Sequence, residues 1–451
     1  MEKQITFDKL QQYHDDFKAH PLNDILQNTI SKNKLIDLAV NREQVSQNKH
    51  IFSHKTEPRV TVTNQKSSGR CWMFACLNII RREIIKKYKL EPDFELSQSY
   101  LFFWDKLERM NYNLECIIDS YKLPIDSRIC ATILNDPVSD GGQWDMLVNL
   151  IKKYGIVPKS VFGESYHSSN SKGMNTLFKS KFRETAIRIR QLLETGNEKE
   201  AYMYKEEFNK FVFDSLCKMI GTPPTKSFVW EFVDKDKKYH RLDIESPQHF
   251  FKHYAYFNLD DYICVISDPR KEHNYHKLYT VQYLGNVVGG QPVKYLNVPI
   301  EDMKQVTLAS LNESDVVWFG CDVGQQRSDT VMSIDIKQYG NLLGTTFNMT
   351  KEERIRTGES AMTHAMVFSG YNSYMIDDKQ IVDRWEVENS WGKHGDNSGY
   401  YYMTDEWFNE YMYEVVVHKK YAKPEMLQAL ETDDITVLPL WDPMGALALF
   451  Y

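Results

Sequence analysis

The chain has 451 residues, of which 42% are hydrophobic and 26% are charged, a balance typical of a globular protein with a sizeable core. Its 21 glycines and 15 prolines are too few for a fibrous or low-complexity chain. A formal charge of −7 and an isoelectric point near 6.0 argue against a general nucleic-acid binder. The length predicts about three domains, or one large domain with insertions.

The seven cysteines are odd in number and include no Cys-x-x-Cys pair. We therefore expect neither a disulfide framework nor a zinc ribbon, and no metal or other cofactor is predicted. The first ten residues are polar and mixed in charge, unlike a signal peptide. No uncharged run approaches the roughly 18 apolar residues of a membrane span. These features predict a cytoplasmic protein without a membrane partner.

The strongest helix signal in the first third of the chain is Ser67–Tyr88, which follows a polar extension over residues 1–60. A Ser-Ser-Gly loop opens the segment, and between Trp72 and Ile80 only Asn78 is polar. A helix that is apolar on all sides is buried. We therefore expect this helix to begin deep inside the protein and to reach water only in its second half.

Glycine-containing turns predict two further hairpins. Apolar residues recur at helical spacing on both sides of Gly196-Asn197, which predicts a helical hairpin over 172–221. Gly289-Gly290 predicts a β-hairpin between Tyr283–Val288 and Val293–Val298.

Two runs of period-two alternation flank a predicted loop near 372–381. In one antiparallel register Tyr371 pairs with Val382 and His364 pairs with Asn389, while other registers stay open. This pattern predicts a histidine and an asparagine side by side at the open end of a β-hairpin.

Of the seven cysteines, Cys71 is the one for which a catalytic role and a role in core packing are about equally expected. We expect the other six cysteines to pack in the core. It begins the predicted buried helix, where unpaired N–H groups and the helix dipole stabilise a thiolate. His364 would carry the proton, and Asn389 would accept the Nδ1–H of His364, which leaves Nε2 facing the sulfur. Because the Asn389 amide adds no charge, we expect a resting thiolate–imidazolium pair. Gln65, six residues before Cys71, is a candidate donor to an oxyanion.

Four segments, in this order, resemble the motifs of papain-like cysteine peptidases. The active-site helix, the Gly-Gly cleft segment, the catalytic His strand and the Asn-Ser-Trp-Gly motif are matched by Gln65–Ala75, Asp140–Pro158, Thr363–Tyr371 and Glu388–Gly392. The long separation of Cys71 from His364, and a tail that reads Trp441–Ala448, narrow the resemblance to the bleomycin hydrolase and bacterial aminopeptidase C group.

The resemblance implies an α+β, papain-like, two-lobed fold with large insertions. It implies a homohexamer whose active sites face an internal chamber. The implied regions are an N-terminal extension packing on the catalytic core (1–60), a helical left lobe with the nucleophile helix (61–165), an inserted helical and β arm for oligomer contacts (166–310), a β-rich right lobe with His and Asn (311–430) and a C-terminal tail in the active-site cleft (431–451).

The resemblance also implies a role for each matched residue. Cys71 is the expected nucleophile, His364 the general acid and base, and Asn389 the residue that orients His364. Gln65 would contribute to the oxyanion hole, and substrate binding is implied for Gly141, Gly142 and Ala448. Trp72 and Trp391 would support the site. Trp391 would do so by excluding water from the Asn389–His364 bond.

The tail departs from the group's pattern. In that group the chain ends at, or about one residue beyond, the Gly-Ala-Leu-Ala segment, and its terminal carboxylate meets the α-amino group of the substrate. This chain continues through Leu449-Phe450-Tyr451. We therefore expect a cytosolic thiol aminopeptidase that acts on peptides. We also expect this enzyme either to occlude its own cleft with the tail or to trim its own tail by one to three residues.

Three alternatives follow from the same residues. An endopeptidase or oligopeptidase results if the tail does not block the cleft, and a Cys-His acyltransferase results if the acceptor is not water. A catalytically vestigial, ring-shaped binding protein is the alternative of another class. The retention of Gln65, Cys71, His364 and Asn389 argues against that last alternative.

Overall fold

Four helices and a short strand precede the nucleophile loop in the computed structural model, which describes residues 3–47, 50–432 and 434–446. These elements are α1 (Phe7–Ala19), α2 (Asn23–Ile30), α3 (Leu35–Leu38), α4 (Arg42–Gln47) and β1 (His54–Lys55). No side chain of α1 or α2 is buried, and Phe7 is 90% exposed. The extension is joined to the rest of the chain farther along, where Asn41 N donates to Ile336 O and Gln338 N donates to Ala39 O.

The next part of the chain contains five helices, the first of which is the predicted buried helix. They are α5 (Cys71–Tyr88), α6 (Gln98–Asp119), α7 (Arg128–Asn135), α8 (Trp144–Tyr154) and α9 (Tyr166–Ser169). Every side chain of α5 from Cys71 to Arg82 is buried, which confirms the helix and its depth. The helix ends where Lys89 adopts a left-handed conformation, φ 50°.

The predicted helical hairpin is confirmed as α10 (Lys172–Glu194) and α11 (Glu198–Met219). Phe182 and Phe208 meet edge to face between the two helices, with ring centroids 6.1 Å apart. None of the helices in the described ranges combines the length and the apolar character needed to cross a membrane.

A separate two-stranded sheet, β2 (Phe228–Val233) with β3 (Tyr239–Ile244), is followed by the short helix α12 (Pro247–Phe250).

The prediction of a β-hairpin at Gly289-Gly290 is wrong. Residues 283–288 form no strand, because Asn149 in α8 binds the loop instead: its Nδ2 donates to Gln291 O and its Oδ1 accepts from Gln291 N, both at 2.9 Å.

A twelve-stranded sheet occupies the second half of the described chain, in the order β14-β5-β6-β4-β13-β7-β10-β11-β12-β9-β8 with β1 paired to β10. Its remaining strands are β4 (Tyr262–Ile266), β5 (Lys277–Val281), β6 (Tyr295–Asn297), β7 (Val317–Cys321), β8 (Arg327–Ser328), β9 (Val331–Met332), β10 (His364–Ile376), β11 (Lys379–Glu388), β12 (Tyr400–Thr404), β13 (Met412–His418) and β14 (Ile435–Leu438). The helices of this half are α13 (Ile300–Asn312), α14 (Tyr339–Leu343), α15 (Lys351–Thr357), α16 (Asp405–Tyr411) and α17 (Pro424–Leu430).

The hairpin of β10 and β11 exists, but its predicted register and loop are wrong. Tyr371 pairs with Trp385 instead of Val382, and the register shifts twice along the ladder. The strands continue to a two-residue turn at Asp377-Asp378, where both residues have positive φ, 46° and 60°. Such a turn matches the twist of the strands and needs no longer loop.

The two faces of the sheet support different layers. Phe319 and Phe368 stack on the face that packs against α13 and α16. The opposite face carries Trp318 and Ala365, which join the core around α5. Trp318 Nε1 donates to Trp72 O at 3.2 Å, so the end of this sheet meets the beginning of the nucleophile helix.

Candidate active site

The loop before Cys71 is fixed by an arginine. Arg70 O accepts hydrogen bonds from the backbone N–H groups of Met73 and Phe74, which starts α5. The side chain of Arg70 is fully buried; its Nε donates to Ser68 Oγ at 2.8 Å, and its guanidinium pairs with Glu164 at 3.0 Å. The first residue of the helix is therefore held rigidly.

Burial opposes charge on both the candidate nucleophile and its proton carrier. Desolvation raises the pKa of the Cys71 thiol to about 12, although the backbone amides of Ala365 and Trp72 act in the opposite direction. Desolvation lowers the pKa of His364 to about 4, although the hydrogen bond to Asn389 favours the imidazolium. A thiolate–imidazolium pair therefore forms only if the attraction between the two charges exceeds both desolvation costs.

His364 and Asn389 are in contact, but through the other nitrogen than predicted. His364 Nε2 lies 2.8 Å from Asn389 Oδ1. Since Nε2 is the nitrogen held by the amide, Nδ1 is the one left for proton exchange with the sulfur. The ring is fixed by stacking on Trp391, with centroids 4.7 Å apart and 30° between the planes. This stack places Trp391 against the His364 ring, where its predicted role is to exclude water from the His364–Asn389 bond.

Gln65 is tied to the Asn-containing loop by a residue that the sequence analysis missed. Ser390 Oγ donates to Gln65 Oε1 at 2.8 Å, and Gln65 N donates to Ser390 O at 2.8 Å. Gln65 Nε2 donates to Ser68 O at 2.6 Å, and the amide carries a second N–H. Ser390 stands inside the Asn-Ser-Trp-Gly motif, so the signal for it was present in the sequence.

Asp140 is a second missed residue, and it connects three segments at the site. Its carboxylate accepts from Gly69 N at 2.9 Å and pairs with Lys106 Nζ at 2.6 Å. It also accepts from Ser171 and Asn175, at the start of the helical hairpin. Burial alone would raise the pKa of Asp140, but Lys106 and these donors hold it well below the ordinary value for a carboxyl.

The ring of Trp72 packs so closely against residue 142 that only a glycine fits there. Its Nε1 donates to Asp140 O at 2.7 Å, and a Cβ atom on Gly142 would lie 2.7 Å from its ring. Only glycine allows this approach. Gly141 N donates to Ser139 Oγ at 3.3 Å, so the segment has a fixed backbone next to the nucleophile helix.

The C-terminal tail is bound to the same segment. Gln143 Nε2 donates to Ala446 O at 3.0 Å. Asp442 is anchored by Arg270, whose two terminal nitrogens lie 2.8 and 2.9 Å from its oxygens. The predicted substrate-binding residue Ala448 lies outside the described residues.

The structure brings the predicted residues from both halves of the chain to one place. The pairs Cys71 with Ala365, Gln65 with Ser390, and Trp72 with Trp318 each join α5 or its loop to the sheet. The described residues include no group of three or more His, Cys, Asp or Glu side chains arranged to hold a metal. A buried thiol at the start of a helix therefore lies beside the strand whose first residue, His364, is held by an amide.

Similarity to known proteins extends over nearly the whole chain. A model of the Peptidase C1-like family matches residues 4–445. The chain belongs to this family. It is 45% identical over 433 residues to the bleomycin hydrolase of Rattus norvegicus, with 94% of each chain covered. It is 40% identical over 452 residues to the aminopeptidase C of Listeria innocua, with 100% of each chain covered.

A solved structure of this group has the same fold. The crystal structure of pepw from Lactobacillus rhamnosis HN001 superimposes with a TM-score of 0.94 at 42% identity, covering 99% of this chain and 100% of that chain. Membership of the Peptidase C1-like family and this superposition confirm the predicted papain-like fold and the predicted class, a cysteine-type peptidase.

Proposed function

We propose that this cysteine peptidase is an aminopeptidase that removes N-terminal residues from peptides through a thioester intermediate formed on Cys71. The observation that carries the proposal is the hydrogen bond from Gln143 to Ala446, which fixes the tail at the residue that follows the Gly141-Gly142 cleft segment. A chain end that continued from there into the cleft would occupy the side where a longer substrate extends beyond its N-terminal residue.

In the proposed reaction, His364 Nδ1 takes the proton of the Cys71 thiol, and the sulfur attacks the scissile carbonyl carbon. The negative oxygen receives hydrogen bonds from the Cys71 N–H and from the second N–H of Gln65. His364 then returns the proton to the departing amine as the C–N bond breaks, which leaves a thioester. Water, deprotonated by His364, hydrolyses the thioester and regenerates the thiol.

The proposed selection for a free amino group comes from the tail. Arg270 holds Asp442, so the residues that follow start from a fixed point. A carboxylate at the chain end would pair with the α-ammonium of a substrate, a charge-assisted contact that is stronger than a neutral one. The same residues would exclude substrates that extend past the amino terminus.

A truncation tests this proposal without disturbing the anchor. Removing 447–451 leaves Asp442 and Ala446 in place. We expect the full enzyme to hydrolyse free-amine substrates and to reject N-acetylated ones, and the truncated enzyme to lose this preference. A truncated enzyme that still requires a free amino group would overturn the role of the tail.

Self-trimming is tested by intact mass. Ala448 is followed by three residues, a reach of ~10 Å if extended; if Ala448 lies where the tail of the resembled group ends, those residues would run toward or past the sulfur. We expect wild type to lose one to three residues and Cys71→Ala to keep them. Full-length masses for both proteins, with wild type fully active on free-amine substrates, would contradict self-trimming.

Endopeptidase activity is the second candidate, and the three residues beyond Ala448 favour it. If those residues fold aside, the cleft is open at both ends. Cleavage of internally quenched peptides with blocked termini by the full enzyme would select this candidate.

We propose a closed homo-oligomer, a hexamer by resemblance, in the cytoplasm. Apolar side chains on the N-terminal helices support subunit contacts, because Phe7 is 90% and Ile25 is 62% exposed. The helical hairpin α10–α11 is the other proposed contact. The cysteines are all free, as a reducing compartment requires. Light scattering that gives the mass of one 53.1 kDa chain at micromolar concentration would contradict the assembly.

A further inference from the structure

Arg327 is a cation beside the active site that the proposed reaction does not use. Its guanidinium carbon lies 5.1 Å from the centroid of the Trp391 ring, and that same ring stacks on His364. The centroids of the Trp391 and His364 rings are 4.7 Å apart, so the distance from the guanidinium carbon to the His364 ring centroid is at most the sum of these two distances. Its charge acts on the catalytic residue: after burial, it is the other cause that lowers the pKa of His364.

A second cation lies next to Arg327. Lys337 is half-buried, and its pKa is lowered by burial and then by the charge of Arg327. Lys337 Nζ donates to the backbone carbonyl of Gly324 at 3.1 Å. Two positive groups that destabilise each other near a catalytic histidine form a site with an affinity for an anion.

Neither cation forms an ion pair within the described ranges, although the charge of Asp322 acts on Lys337. Arg327 donates to carbonyl oxygens, from Nε to Val323 at 3.2 Å and from Nη1 to Asp329 at 3.0 Å, and its side chain also hydrogen-bonds Tyr401, a neutral partner. Among residues 3–47, 50–432 and 434–446, no carboxylate lies within 4.0 Å of either cation, although 36 such pairs occur elsewhere. The neighbouring carboxyl, Asp322, is instead held by hydroxyls: Ser360 Oγ donates to its Oδ2 at 2.8 Å.

There is room for a ligand beside Lys337. Lys337 lines an open cavity of about 600 Å³, together with Gln325 and Gln326, whose amides are suited to a polar ligand. Asp335 and Glu359 also line this cavity. Because those two carboxylates repel an anion, we expect it against Arg327 and Lys337 and not deeper in the cavity.

We propose that Arg327, assisted by Lys337, binds a carboxylate on the part of the peptide that leaves after cleavage, and so makes this enzyme selective for substrates with an anion just beyond the scissile bond. The proposal rests on the peptidase reaction proposed above. His364 delivers a proton to the departing amine, so that nitrogen lies at His364. A carboxylate on the same residue, either its α-carboxylate in a dipeptide or an acidic side chain, lies about one residue length away, ~3.5 Å.

Arginine is suited to this role because its planar fork can donate two parallel hydrogen bonds to one carboxylate. Trp391 provides the flat surface on which the guanidinium rests, which reduces the conformational freedom lost on binding. Since the carboxylate is bound in both the ground state and the transition state, its effect is expected mainly in KM.

Matched substrates test the proposal. Three dipeptide-sized substrates with the same N-terminal residue would be compared: Xaa-Ala as the free acid, Xaa-Ala amide and Xaa-Asp amide. In wild type we expect kcat/KM for the free acid to exceed that for the neutral amide by on the order of tenfold. Arg327→Gln should remove this preference, so that the ratio of kcat/KM for the free acid to that for the neutral amide falls to about one; the ratio is the readout because Arg327 also acts on His364 and its loss changes the rate with every substrate. Arg188→Gln, on the exposed side of α10, is the control and should retain the preference.

The Xaa-Asp amide separates the two sources of the carboxylate. If it is favoured as strongly as the free acid, the site accepts an acidic side chain; if only the free acid is favoured, the ligand is the α-carboxylate. Either result supports the anion site. Equal kcat/KM for all three substrates in wild type would overturn it.

Alkylation gives a readout that does not depend on peptide hydrolysis. Iodoacetate is an anion and iodoacetamide is its neutral counterpart, and both would modify Cys71. We expect the ratio of their rates to fall several-fold in Arg327→Gln and in Lys337→Gln, and to stay unchanged in Arg188→Gln. A constant ratio in all variants would contradict the anion site, whereas a lowered ratio in an enzyme without aminopeptidase activity would contradict only the proposed function.

Discussion

Arg82 Nη2 donates to Glu388 Oε2 at 2.6 Å, and both side chains are buried. Arg82 stands on the helix that begins at Cys71, and Glu388 immediately precedes Asn389. Arg81, also buried, reaches the other oxygen of Glu388 at 3.1 Å. The two arginines therefore fix the nucleophile helix relative to the strand end that holds the orienting amide.

Replacing this carboxylate should damage both stability and catalysis. Glu388→Gln leaves two buried guanidinium groups without their anion, and we expect a loss of about 3–5 kcal/mol in the free energy of unfolding. Glu386→Gln is the control on the same strand, because its partners Lys55 and Arg59 are partly exposed, and it should cost less. Denaturant titration measures both variants; an equal, small loss for the two would show that the buried triad has no special role.

The residues around the acyl group should differ in their effects on turnover. His364→Ala should remove nearly all activity and Asn389→Ala only part of it, because the ring still stacks on Trp391 when the amide is absent. Gln65→Ala should reduce kcat on the order of 10²–10³-fold if its amide stabilises the oxyanion. Steady-state kinetics with one free-amine substrate measures all three. A Gln65→Ala rate close to that of wild type would exclude the oxyanion role.

The protonation state of Cys71 depends on its partner. Alone, the buried thiol has a pKa of about 12, so a Cys71 thiolate at neutral pH requires the positive charge on His364. We expect wild type to show ultraviolet thiolate absorbance at neutral pH, relative to Cys71→Ser. His364→Ala should show it only as the pH approaches the pKa of the isolated thiol. The absence of the signal in wild type would mean that the resting pair is neutral, as burial of each group alone favours.

Asp140 should contribute stability that disappears in acid. The pKa of Asp140 is lower in the folded protein than in the unfolded chain, so its contribution is present above the ordinary aspartate pKa of about 4 and is lost as the pH falls through the folded value. Asp140→Asn should therefore destabilise the protein by about 3 kcal/mol at neutral pH and by progressively less below pH ~4. Thermal unfolding of both proteins across this range measures the difference; a difference independent of pH would contradict the ion pair with Lys106.

Local patterns were enough to predict the elements that carry the site. The run from Trp72 to Ile80 is apolar on every side, so a buried helix beginning at Cys71 followed from the residues alone. The helical hairpin was predictable for the same reason, because its periodicity and the Gly196-Asn197 turn agree.

The details that depend on distant partners were not predictable. The register of β10 is altered around Gly370, where a Cβ atom would lie 2.5 Å from His54 O of the paired strand β1. The choice of Nε2 over Nδ1 follows from the orientation of the His364 ring against Trp391, which no local pattern contains. The partners of Asp140 come from separate segments of the chain.

In the proposed reaction Cys71 is the single activated nucleophile among the seven thiols. The direct test is a timed alkylation of the wild-type enzyme, in which peptide mass spectrometry quantifies each of the seven thiols and hydrolysis of a free-amine substrate is assayed in parallel. We predict that activity falls in proportion to the modification of Cys71 while the other six thiols stay unmodified. An enzyme that remains active with Cys71 fully alkylated, or in which Cys71 reacts no faster than the others, would contradict the account.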